Sequence, residues 1–151
     1  MSDVFDLADA VATRVNAGSY TLSDSFTATG LALIEFDADE IASSVIVHVV
    51  PRSKQIDALS RSKDRNEITV GVGVMKTVEN SAGKVDTAQV DGLVELCEEI
   101  ADQLRSYDPT VNGRSAKWLR NEIDPIYDSE ALYASQQFRS VVNATYLLTT
   151  P

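Results

Sequence analysis

His48 has the widest chemical repertoire of any side chain in this sequence, and it is the chain's one histidine. Its neighbours argue against using it. It stands inside the β-branched run SSVIVHVV that closes at Val50, where an imidazole serves most simply as a hydrogen-bonded strand residue. No second histidine exists to complete a metal-ligand set, and no serine lies in a nucleophile-elbow context from which a Ser-His-Asp triad would be built. Gly71-Val72-Gly73 has the composition of a phosphate loop but sits in mid-strand. No helix opens directly behind it and no Lys-Ser/Thr pair follows, so its small residues read instead as room for a helix or a neighbouring subunit to approach a sheet.

Carboxylates are plentiful, and Asp37, Asp39 and Glu40 adjoin one another in a short acidic loop. General acid and base work needs a desolvated cleft that drives two such groups apart in pKa, and nothing in the pattern points to one. The single cysteine, Cys97, falls on the apolar stripe of a helix and reads as a small buried hydrophobe rather than a reactive thiol. Asn143-Ala144-Thr145 matches the glycosylation pattern by chance, since it lies within a strand. The expectation is therefore no catalytic, cofactor-binding or metal-binding residues.

The elements that would position any site follow from periodicity. In DTAQVDGLVELCEEIADQLRS, residues 86–106, Val90, Leu93, Val94, Cys97, Ile100, Ala101 and Leu104 recur at helical spacing, with Asp91, Glu95, Glu98, Glu99 and Asp102 on the remaining faces. Residues 67–77 alternate Ile68, Val70, Val72 and Val74 with Thr69, Gly71, Gly73 and Met75, which is a strand with one apolar face. A first helix is expected over 3–16, with a stripe of Val4, Leu7, Ala8, Val11 and Val15. Further strands are expected at 26–36, 44–50 (ended by Pro51) and 137–149, a short strand or an extended edge at 116–123, and one or two helical turns at 128–135, capped by Asp128 or Ser129. The fold class is α+β: a mostly antiparallel sheet of about four to five strands packed against the long helix and the N-terminal helix. Residues 1–151 form one domain, a length at which roughly 70% of the unfolded chain's surface is buried without staples.

Two features remain unassigned. Residues 51–66 lack a sustained period, read as an extended loop, and carry Arg52, Lys54, Arg61, Lys63 and Arg65, five of the chain's thirteen basic residues. A connection of that length has a task or is a solvated excursion, and both readings stay open. Trp118, Tyr127 and Tyr133 read as a cluster near the last strand, either satellite core or interface. The net charge of −10 argues against sequence-independent attraction to nucleic acid, although not against a wall that DNA slides past. No apolar run approaches the ~20 residues of a membrane span, and an acidic start in place of a basic one predicts a protein of the reducing cytoplasm.

Taken together, DVFDLADAVATRVN, HVVPRS, EITVGVGVMK, LVELCEEIADQLR and FRSVVNATYLLT resemble the tail-terminator, tail-completion or minor tail proteins of tailed bacteriophages and prophages. The resemblance covers most of the chain in element order and carries no catalytic signature. It implies a sheet packed on helices and a virion protein without enzymatic activity, made in the host bacterial cytoplasm. Its subunits close into a homo-hexameric ring that caps the tail tube, meets the neck proteins and lets DNA cross its lumen unbound. On that view the 51–66 cations, with Trp118 and Tyr127, contact the next subunit or the tube. Three other readings compete. One is a head-tail connector at another level of the stack. Another is an acidic binding module that inhibits a basic partner such as a nuclease. The third is a small hydrolase built on His48, which would lose activity on His48→Ala.

Overall fold

The Asp86 carboxylate accepts hydrogen bonds from the backbone N–H groups of Ala88 and Gln89, and so starts the longest helix, α3 (Thr87–Leu104). In the computed structural model, which describes residues 2–34, 37–81 and 84–149, this helix buries Val90, Leu93, Leu96, Cys97, Ile100 and Leu104. Leu96 joins the expected stripe, while Val94 and Ala101 pack at its margin. The N-terminal helix α1 (Asp3–Asn16) is capped by Ser2, has Asp3 and Asp6 in its first turn and Arg14 in its last, and buries Leu7, Ala8, Val11, Ala12 and Val15. The two helices are latched by a reciprocal pair: Arg14 Nε donates to the Gln103 carbonyl and Gln103 Nε2 to the Arg14 carbonyl, both at 3.0 Å.

Both helices lie on one face of a five-stranded sheet. In chain order its strands are β1 (Ala28–Gly30), β2 (Ile46–Ala58), β3 (Asp64–Thr77), β8 (Lys117–Ile123) and β9 (Gln137–Thr149), and in space they run β1-β2-β3-β9-β8. Every pairing is antiparallel except β1 with β2. The α+β reading therefore holds, with the sheet packed on α1 and α3. Ile68, Val70, Val72 and Val74 of β3 and Phe138, Val142, Ala144, Tyr146 and Leu148 of β9 all lie in the buried core, as their alternation requires. The interior of the sheet is thus the part with the plainest period.

The short elements hold the edges. Asn16 closes the outer side of β1 by accepting from Ala28 N–H at 2.7 Å and donating to the Ala28 carbonyl at 3.0 Å. An Asn112-Gly113 turn, with both residues at positive φ, joins the ribbon β6 (Thr110–Val111) to β7 (Arg114–Ser115). That ribbon is tied to the start of α1: Arg114 Nη2 lies 2.9 Å from both Asp3 carboxylate oxygens, and Asn112 N–H donates to Asp6. A second small ribbon, β4 (Asn80–Ser81) with β5 (Lys84–Val85), leads into α3, and α4 (Ser129–Ser135) is capped by Asp128.

Four sequence expectations need correction. The stretch expected as a strand over 26–36 pairs only over Ala28–Gly30; Leu31 adds one hydrogen bond to Val49, and the chain then crosses to the other face of the sheet, where Ile34 packs over Gly73. Its apolar character on both sides reflects that crossing, and Glu35 and Phe36 lie outside the described residues. The acidic loop at 37–40 is the start of helix α2 (Ala38–Ser43), with Asp37 as its N-cap. Pro51 does not end the strand: it is absorbed by a register shift between Pro51 and Ser53, and β2 runs on to Ala58. Hence the extended loop expected at 51–66 is two strand arms and a tight turn.

Candidate functional site

Those arms are the most distinctive surface of the molecule. β2 and β3 stay paired from Ser53 with Thr69 out to Ala58 with Asp64, well past the short β1. Residues 52–65 are exposed without interruption, and the turn is held by Leu59 N–H donating to the Lys63 carbonyl at 2.9 Å. A peptide stretch with water on both sides has no apolar alternation to display, which is why the sequence shows no period there. On the outer side of β2 the residues beyond Val50 have no strand partner among the described residues. Pro51, the register shift and the charges of Arg52 and Lys54 are the usual means of blunting such an edge.

The five basic residues divide by position. Arg52 folds back over the sheet, where its side-chain carbons lie 2.9 Å from the place a Cβ on Gly71 would occupy. Lys54 reaches Asp3 at 3.9 Å and Arg65 reaches Glu67 at 3.5 Å, two solvent-facing pairs of small energetic weight. Arg61 and Lys63 occupy the turn and, among the described residues, enter no ion pair. The cationic tip of the arm is therefore available for an outside carboxylate.

The aromatic residues do not form the expected cluster. Trp118 pairs with Tyr146 in the ladder, whereas the Tyr127 ring lies 6.1 Å from that of Phe138; eight residues of β9 separate those partners, roughly 26 Å along the strand. Trp118 packs against the core, and its indole N–H donates to Asn121 Oδ1 at 2.9 Å, while Asn121 Nδ2 donates to the Ala101 carbonyl of α3 at 2.7 Å. It is satellite core that docks β8 on the helix. Tyr127 is partly exposed and Tyr133 almost fully so.

Below the arm, on the sheet face away from α1 and α3, Arg52, Ser53, Thr69, Arg120, Glu122, Asn143 and Thr145 line an open polar groove of about 320 Å³. Thr69 and Thr145 share a 2.9 Å hydrogen bond across it, and Arg120 lies 3.6 Å from Glu67. His48 stands opposite Gly73 in the β2–β3 ladder, as a strand residue. Cys97 is buried, and burial pushes its thiol up to about 11. Among the described residues, no group of three or more His, Cys, Asp or Glu is placed to hold a metal, and no helix is long and apolar enough to cross a membrane. Compared with known proteins, the chain matches no family model and no curated relative.

Proposed function

We propose that this protein is a structural subunit of a tailed-phage virion, a tail terminator whose copies close into a homo-hexameric ring between the tail tube and the neck. The observation that carries the reading is the β2–β3 arm. Its turn projects beyond the last β3–β9 pair, Arg65 with Thr149, and there Arg61 and Lys63, in no ion pair among the described residues, favour a partner surface of opposite sign on a chain of net charge −10. The resemblance in element order supplies the class of assembly. The acidic body suits a lumen that DNA crosses without sticking, because phosphates and carboxylates repel. No enzymatic step belongs to this reading.

The exposed carboxylates of α3 favour one competitor, an acidic module that occupies a basic partner in place of nucleic acid. Light scattering across concentration, with negative-stain images of the same sample, separates the two. The ring reading expects annular particles of about six subunits, alone or on added tail tubes. A strict monomer under both conditions that binds a basic protein tightly and in a salt-sensitive way would replace the ring reading with the inhibitor.

A further inference from the structure

The receiving surface for the arm lies on the same chain. The arm is not purely basic: Ile56 is 59% exposed and Leu59 56%, beside Arg61 and Lys63. At the far end of the sheet the segment 124–133 has the complementary character. Ile126 is 57% exposed and Tyr133 90%, and exposed Asp124 and Glu130 flank them. The arm also carries the exposed carboxylates of Asp57 and Asp64, but its turn, residues 59–63, holds only the cations Arg61 and Lys63 beside Leu59. That cationic, apolar turn and the acidic, apolar 124–133 segment make a matched pair.

The two surfaces cannot meet within one molecule. β3 pairs with β9 from Arg65 with Thr149 at the arm to Thr77 with Gln137 at the opposite end, a run of roughly 40 Å. The arm turn lies beyond Arg65. The 124–133 segment is anchored at the other end, where Asp128 N–H donates to the Arg139 carbonyl and the Tyr127 ring lies against Phe138. Two different, complementary patches at opposite ends of one subunit define a head-to-tail contact, which forms a closed ring where the rotation between copies permits.

We infer that the β2–β3 arm of one copy docks on the Asp124–Tyr133 segment of a second copy, with Leu59 and Ile56 against Ile126 and Tyr133, and Arg61 and Lys63 against Asp124 and Glu130. The inference rests on the ring reading and names the two surfaces that build it. A chain carrying both Leu59→Cys and Tyr133→Cys tests it. Cys97 is buried and takes no part. Mild oxidation is expected to give a ladder of disulfide-linked multimers, and mixing the two single variants a linked dimer that neither gives alone. Reversing Arg61 and Lys63 to Glu should raise the concentration for half-assembly about tenfold, and adding Glu130→Lys should recover part of that loss. Rings seen by light scattering without any ladder would overturn this docking and leave the ring standing. Absence of both rings and ladder at every concentration overturns the docking together with the ring reading. A disulfide joining positions 59 and 133 within a single monomer would overturn the opposite-end geometry itself.

Discussion

Asp3 carries more of the N-terminal architecture than its place in the chain suggests. Burial opposes its charge, but hydrogen bonds from Asn112 and Arg114 and the charges of Arg114 and Lys54 outweigh that, and its carboxyl is held below the ordinary 3.8. A carboxylate with a lowered folded pKa contributes stability that is present above the unfolded value and is lost as pH falls through the folded one. Denaturant midpoints measured from pH 6 down to pH 2 should therefore fall less steeply for Asp3→Asn than for the parent chain, and the variant should be the less stable of the two at pH 6. Tyr146 presents the opposite case. Its hydroxyl is buried with no hydrogen-bond partner among the described residues, and burial raises its pKa. Tyr146→Phe is expected to leave stability unchanged or raise it by up to about 1 kcal/mol in urea denaturation, because it removes a desolvated group without removing a bond. A loss of about 2 kcal/mol would mean that the hydroxyl has a partner.

At the scale of elements, legibility followed burial. α1, α3 and β9 each set one apolar face against a core, and their spans could be read from period to within about two residues, while β3 starts three residues before the expected 67; even the alternation of Phe138, Ser140, Val142, Ala144, Tyr146 and Leu148 matches the buried set. The arm has no buried face, so it left no period to read, although its charges marked it as something other than filler. β1 was overextended because an apolar segment that changes sides of a sheet has the same composition as a strand covered twice. α2 was missed although its signal was present: Asp37 followed three residues later by Glu40 is the spacing of a helix start. Of the proposed interface residues, Arg61 and Lys63 stand at the arm's turn in no ion pair among the described residues, while Trp118 is committed to α3 through Asn121. The apolar half of the surface, Ile56, Leu59, Ile126 and Tyr133, was hidden because single apolar residues in polar segments carry no weight until exposure is known.

The arm's independence from the core has a measurable form. Residues 52–65 lie outside the buried cluster, so replacing 57–65 by a two-residue Asn-Gly turn, which keeps Ile56 opposite Asn66, should shift the melting temperature by no more than about 4 °C while abolishing assembly. Global unfolding of that variant would show that the arm belongs to the fold and not to an interface.

For the whole molecule, a net charge of −10 makes association a contest between local attraction and global repulsion. Salt acts on both, but the attraction acts between charges a few ångströms apart at the arm tip, and the repulsion over the width of a subunit. The repulsion is therefore the first to be screened at a Debye length of about 10 Å, reached near 0.1 M salt. Assembly should strengthen from very low salt to about 0.1 M and weaken again as the Debye length contracts towards about 3 Å near 1 M. Sedimentation velocity across that range checks the curve, and a monotonic rise would indicate an interface in which the cations play no part.

The position of β9 also determines when the molecule can exist. It is the last strand in the chain, yet it lies between β3 and β8 and forms a ladder with each. While the chain is still emerging from the ribosome, β8 has no neighbour to pair with, and the valines of β3 lack the strand that flanks them. The nascent polypeptide must hold a half-built sheet open until Gln137–Thr149 clears the exit tunnel, so a ribosome stalled before residue 137 would carry an aggregation-prone stump rather than a shorter version of the protein.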